Sequence, residues 1–130
     1  MKILVGYDGT KQFPETLKVA RRHAAAFNAQ VTIFTASGHS PELHMAELDA
    51  LQNRLSDIQE SFTKEGIVCE THIAVRSLSP GEDMVDFARK HQFDEIIIGV
   101  KHRSKIGKLI MGSTAQYVIL EASCPVVTVK

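Results

Sequence analysis

Short apolar runs and longer amphipathic stretches alternate along this chain. Ile3 to Tyr7 is rich in β-formers and stops at Asp8 and Gly9, as a buried strand ending in a turn does. Phe13, Leu17, Ala20, Ala24 and Phe27 then recur at spacings of four and three, one face of a helix that Thr10 is placed to cap and Asn28 to end. Val31 to Ala36 predicts a second strand, with Ser37, Gly38 and His39 as loop. Ser40 as N-cap and Pro41 at the first helical position open a long helix. Its apolar stripe is Leu48, Leu51, Leu55, Ile58 and Phe62, and Gly66 stands at its C′ position. Ile67 to Val75 alternates weakly, in the manner of a strand with one face partly wet.

Ser79-Pro80-Gly81-Glu82 is a capping box ahead of Met84, Val85 and Ala88, and predicts a helix to about His91. Glu95 to Val100 contains Ile96, Ile97 and Ile98 in succession, apolar on both faces as the middle of a covered parallel sheet requires. A last helix is expected after Gly112, carrying Tyr117, Val118 and Ala122, and Pro125 to Val129 forms the closing strand. Strand and helix alternate throughout, with crossovers of a dozen or more residues. That pattern predicts an α/β fold with a doubly wound parallel sheet, because parallel neighbours need a right-handed helical crossover. Ligands of such folds sit outside the carboxyl ends of the strands, where the strand order reverses. With the first strand central, that crevice is walled by Gly6-Tyr7-Asp8-Gly9 and by the stretch GVKHRSKIGKLIMGST, residues 99 to 114.

Composition narrows the function classes. The length of 130 residues suits one domain, taken as residues 1–130, and 44% hydrophobic with 23% charged residues is ordinary for a globular chain. Fifteen Lys plus Arg balance fifteen Asp plus Glu, so no overall field draws the protein to nucleic acid or to an anionic membrane. Any affinity for anions has to be local. Cys69 and Cys124 stand far apart without zinc-ligand spacing and are expected as reduced, buried thiols, which fits a reducing cytosol. No stretch approaches the length of a membrane span, and Asp8 comes too early for a secretory leader, so a cytoplasmic location is expected.

Local charge is concentrated in residues 101 to 108, where Lys101, Arg103, Lys105 and Lys108 accompany His102 with no acid among them. Gly112, Ser113 and Thr114 follow where the last helix begins, and a helix N-terminus offers unpaired N–H groups and partial positive charge to a phosphate. From spacing alone two readings stay open: a phosphate cradle, or a solvated basic loop with a simple N-cap. Two phosphate motifs are excluded. Gly107-Lys108 is followed by Leu109 and has His102 where a Walker glycine belongs, and GxGxxG does not occur. His23, His39, His44, His72 and His91 lack metal spacing, nothing activates Ser123 or Cys124 as a nucleophile, and no carboxylate pair or triad stands out.

Four separated blocks carry a family resemblance over essentially the whole chain: the opening ILVGYDGT, then SLSPGEDMVDFARKHQFDEIIIG, GKLIMGSTAQYVI, and the ending CPVVTVK. In these the chain resembles the universal stress protein family. The resemblance implies a Rossmann-like, three-layer α/β/α fold of the adenine nucleotide alpha hydrolase type, with strand order 3-2-1-4-5. Nucleotide-binding members carry G-x-x-G, nine residues, then G-[S/T]. Here Gly99 matches the first glycine, Gly112 and Ser113 match the last pair at that spacing, and His102 holds the middle position. Asp8 matches the acid expected at the nucleotide, and Gly6, Tyr7 and Ala36 fall on the adenine and ribose side.

The resemblance thus implies ATP binding, with Mg²⁺ on the phosphates, in a cytoplasmic stress-response protein that forms a homodimer through its C-terminal strand. His102 adds a Cβ and an imidazole where the backbone would approach phosphate, or with Arg103 it reaches over the phosphates as a donor. The alternative to nucleotide binding is a vestigial site in a dimeric interaction module. No catalytic base stands out, so an enzyme is not expected, although slow ATP hydrolysis stays open.

Overall fold

The computed structural model describes residues 1–7, 13–36, 45–74, 79–100 and 111–130. In chain order its elements are β1 (Lys2–Gly6), α1 (Phe13–Phe27), β2 (Gln30–Ala36), α2 (Met45–Lys64) and β3 (Cys69–Ala74), followed by α3 (Pro80–Lys90), β4 (Glu95–Gly99), α4 (Ser113–Glu121) and β5 (Val126–Val129). The strands form one parallel sheet in the order β3-β2-β1-β4-β5, the order the family resemblance implies. β1 is central, with Ile3 paired to Val31 of β2 on one side and to Glu95 of β4 on the other.

Pleat alternation sorts the side chains into two cores. Ile3, Val5, Val31, Ile33 and Ile97 face α1 and α2, meeting Leu17, Ala20, Leu55 and Phe62. Leu4, Phe34, Ile96 and Ile98 face α3 and α4, meeting Met84, Val85, Ala88, Ala115 and Val118. The isoleucine run of β4 is therefore apolar because its members bury on opposite faces. Each such large side chain contributes about 1.5–3 kcal/mol by leaving water.

Helix ends follow the local chemistry. Ser79 is the N-cap of α3 and its Oγ accepts from the Glu82 N–H at 3.3 Å, with Pro80 in the first turn. Gly66, after α2, has φ +77°, the left-handed conformation that ends helices and that a Cβ disfavours. The cap predicted at Ser40 lies outside the described residues, within which α2 begins at Met45. Cys69 is buried as expected, and burial pushes its thiol up to about 11; Cys124 is only half-buried.

Two long-range features had no signature in the sequence. The Glu95 carboxylate, at the buried start of β4, meets His23 Nδ1 of α1 at 2.6 Å. Under α3, the Phe87 ring lies between two imidazoles, with centroids 4.2 Å from His72 and 4.4 Å from His91. Burial first, and the neighbouring His91 second, pull the His72 pKa below its ordinary value.

A depressed imidazole pKa means that the unfolded chain takes up a proton the folded one resists. The associated stability is complete above the unfolded pKa, about 6.5, and is lost as the pH falls below it. The melting temperature should therefore drop between about pH 7.5 and about pH 5.5, and His72→Phe, which keeps a stacking ring but cannot titrate, should drop less. An equally steep decline in the variant would remove His72 as a cause.

Candidate functional site

Three neighbouring strands end on small residues: β2 at Ala36, β1 at Gly6 and β4 at Gly99. Beyond these ends the two helical layers part around a cleft of about 600 Å³, at the point where the strand order reverses. Gly6 is fixed by packing. A Cβ built there would stand 2.7 Å from the Met84 methyl carbon and 3.2 Å from Ile98 Cγ2. With Gly6 bare, Met84 of α3 can lie over the end of β1 and help to line the cleft.

The first turn of α4 supplies one wall through Ser113, Thr114 and Ala115. Its N-cap, Gly112, has φ −68° and ψ 161°, an extended conformation open to any residue, and makes no side-chain cap. The helix starts from the Gln116 N–H donated to Gly112 O at 3.1 Å. The N–H groups ahead of Gln116 lack an intrahelical acceptor by position, and Gly112 has no side chain to turn back on them. The cleft thus meets the positive end of a helix dipole with donors aimed outward, an arrangement suited to an anion.

The opposite wall comes from α2. Glu47, Ala50, Leu51 and Arg54 fall on one helical stripe and line the cleft. Tyr7, just past β1, is held from three directions. Its N–H donates to Phe34 O at 2.8 Å, its ring stands edge-on to Phe13 with centroids 4.4 Å apart, and its hydroxyl accepts from Arg54 Nη1 at 3.4 Å.

Seven residues singled out in the sequence, Gly6, Tyr7, Ala36, Gly99, Gly112, Ser113 and Thr114, come together around this cleft. Asp8, His102 and Arg103 lie outside the described residues. Sequence reading missed Met84 and the α2 stripe. Leu51, a member of the predicted apolar stripe, packs with the core and also edges the cleft, while Glu47 and Arg54 carry no motif that singles them out in the sequence. Among the described residues no three His, Cys, Asp or Glu side chains come together as a metal site.

The family model for universal stress proteins matches residues 1–130. The chain belongs to the universal stress protein family. It is 28% identical to a universal stress protein of Thermus aquaticus, covering 98% of this chain and 97% of that one. A universal stress protein of Archaeoglobus fulgidus superposes with a TM-score of 0.87 at 32% identity, covering 100% of this chain and 98% of its own. A second structure, the universal stress protein from Archaeoglobus fulgidus in complex with dAMP, gives a TM-score of 0.81 at 27% identity, again over 100% of this chain and 98% of that one. This universal stress protein thus shares the three-layer sheet architecture of its structural relatives over its full length.

The contact between Gly6 and Met84 is open to a direct test. Gly6→Ala should be mild, because the atom it meets is the end of a flexible side chain. Gly6→Val should cost about 1–3 kcal/mol in urea unfolding, and should cost clearly less when made in a Met84→Ala background. If the two changes were simply additive, steric conflict with Met84 would not be the cause.

Proposed function

We propose that this universal stress protein binds an adenine nucleotide in the cleft, with ATP as the ligand and signalling rather than rapid turnover as the role. The observation that carries this reading is the N-terminus of α4, which faces the cleft behind a glycine that provides no cap. The phosphates lie there, against Gly99, Gly112, Ser113 and Thr114. The base and ribose lie toward Gly6, Tyr7 and Ala36, at the ends of β1 and β2. Asp8 and His102 complete the ligand set by their positions in the family motif, with Arg103 beside His102 as a further donor. Support comes from the Archaeoglobus fulgidus relative, whose structure is a complex with dAMP.

Mg²⁺ would enter as the companion of the phosphates, since the described residues group no three metal-ligating side chains. The described cleft contains one carboxylate, Glu47, on the wall opposite α4. Neither it nor the other lining side chains forms a base hydrogen-bonded to a nucleophile, so the reading is of a binding protein. No helix among the described residues is long and apolar enough to cross a membrane, and a cytoplasmic setting completes the proposal.

Association through β5 belongs to the same proposal. Val129 O accepts from the Val100 N–H at 2.8 Å and Pro125 O accepts from the Ile96 N–H at 3.0 Å. By alternation the backbone groups of Thr128 point away from β4, toward a second copy.

Calorimetry with ATP and Mg²⁺ on nucleotide-free protein should give heat, and silence at about millimolar ligand would leave only the interaction-module reading. Gly112→Asp separates fold from function. An aspartate caps the helix and suits its dipole, so the melting temperature should rise, while its charge occupies the phosphate position and nucleotide binding should be lost. In light scattering the parent should be a dimer, and Thr128→Pro, which removes an outward N–H without breaking the β4 ladder, should be a folded monomer.

A further inference from the structure

The α2 wall carries a second assignment, which rests on the nucleotide-binding reading above. Only Leu55 and Phe62 are buried along this helix, and Met45 at its start is 76% exposed. Upstream of Leu55 the helix therefore overhangs the carboxyl end of the sheet, and its inner stripe looks into the cleft rather than into the core. That stripe places an apolar step, Ala50 and Leu51, between two charged side chains one turn to either side, Glu47 and Arg54. Among the described residues Arg54 has no ion pair, and its contact is the long 3.4 Å hydrogen bond to the Tyr7 hydroxyl.

Tyr7 and Leu51 pack with the core under α1 and α2, whereas Ala115 belongs to the core under α3 and α4. Arg54 and the N-terminus of α4 thus stand on opposite walls of one cleft. An anion held on the backbone donors of α4 leaves the other end of its molecule facing Arg54. The chemistry of that end follows from its surroundings. Ala50, Leu51 and the Tyr7 ring offer apolar surface to a flat group, and a guanidinium is planar, stacks on aromatic faces and carries donors only.

The geometry points to Arg54 as a base-contacting specificity residue, which leaves the Tyr7 hydroxyl and stacks over the face of the purine. A purine presents a wide face on which a guanidinium can stack, whereas a bare polyphosphate offers only acceptor oxygens, which the donors of α4 hold on the opposite wall. Arg54 therefore contributes affinity for the base and none for the phosphates. Glu47, at the outer end of the same stripe, repels phosphate from this wall and so favours one direction of binding.

The test compares ATP with inorganic tripolyphosphate by calorimetry on the parent, Arg54→Ala and Arg54→Lys. Arg54 is exposed, so both variants should fold, with melting curves as the control. Arg54→Ala should weaken ATP about tenfold and leave tripolyphosphate unchanged. Arg54→Lys keeps the charge but not the plane and should recover less than half of that loss. ATP affinity unchanged in Arg54→Ala would overturn the assignment, as would an equal loss for both ligands or full recovery by lysine, because each makes Arg54 a bystander or a plain cation. A parent protein that binds no ATP would instead overturn the nucleotide-binding reading itself, and the role of Arg54 with it.

Discussion

Parallel pairing of β1 with both β2 and β4 is the constraint on which the molecule depends. A strand with parallel neighbours on both sides cannot be linked to either by a tight turn, so the chain must leave the sheet and return across a face. The order β3-β2-β1-β4-β5 sends α1 and α2 over one face and α3 and α4 over the other. At the carboxyl ends these layers diverge on either side of β1, and the space between them is not filled by the core. Burial of Ile3, Leu4 and Val5 on alternate faces holds the arrangement, and the cleft is its geometric by-product.

What the fold does with that space depends largely on side chains that are absent. Gly6, Ala36 and Gly99 keep the strand ends low, and Gly112 leaves a helix end unsatisfied. Glycine in place of a capping side chain costs only a few tenths of a kcal/mol, a small loss beside the burial in the two cores. The two walls also differ in kind. One presents backbone donors fixed by a helix, whereas the other presents long side chains on a helix that overhangs the sheet.

Much of the fold was legible because one residue type served one purpose at each point. Ile96, Ile97 and Ile98 could only belong to a strand covered on both faces, and Ser79-Pro80 could hardly be anything but a helix start. Gly112 was legible as a helix start whose bare backbone a ligand can approach. Its backbone needs no positive φ, so room and the missing cap are what distinguish it. Features made by distant partners left no local trace. His23 and Glu95 pair across 72 residues, and nothing near Gly6 in sequence announces Met84. The α2 stripe stayed hidden because its charged members resemble a solvated face, and only the third dimension shows that this face overlooks the end of the sheet. Asp8, His102 and Arg103 remain expectations of the sequence, since they lie outside the described residues.

The register that joins Ile3 to Glu95 spans most of the chain, unlike the pairings of β2 with its neighbours. β1, β2 and β3 can pair while the chain is still short, because each crossover between them is local. The other edge of β1 stays open until a segment more than ninety residues away arrives, and closing so long a loop is the kind of step that slows folding. Gly99 and the N-terminus of α4 come with that late segment. The three strands β1, β2 and β3 alone do not make the cleft, because its α4 wall and the end of β4 are joined to β1 through this pairing. The shape of the cleft is thus tied to the longest-range pairing in the sheet rather than to any one wall.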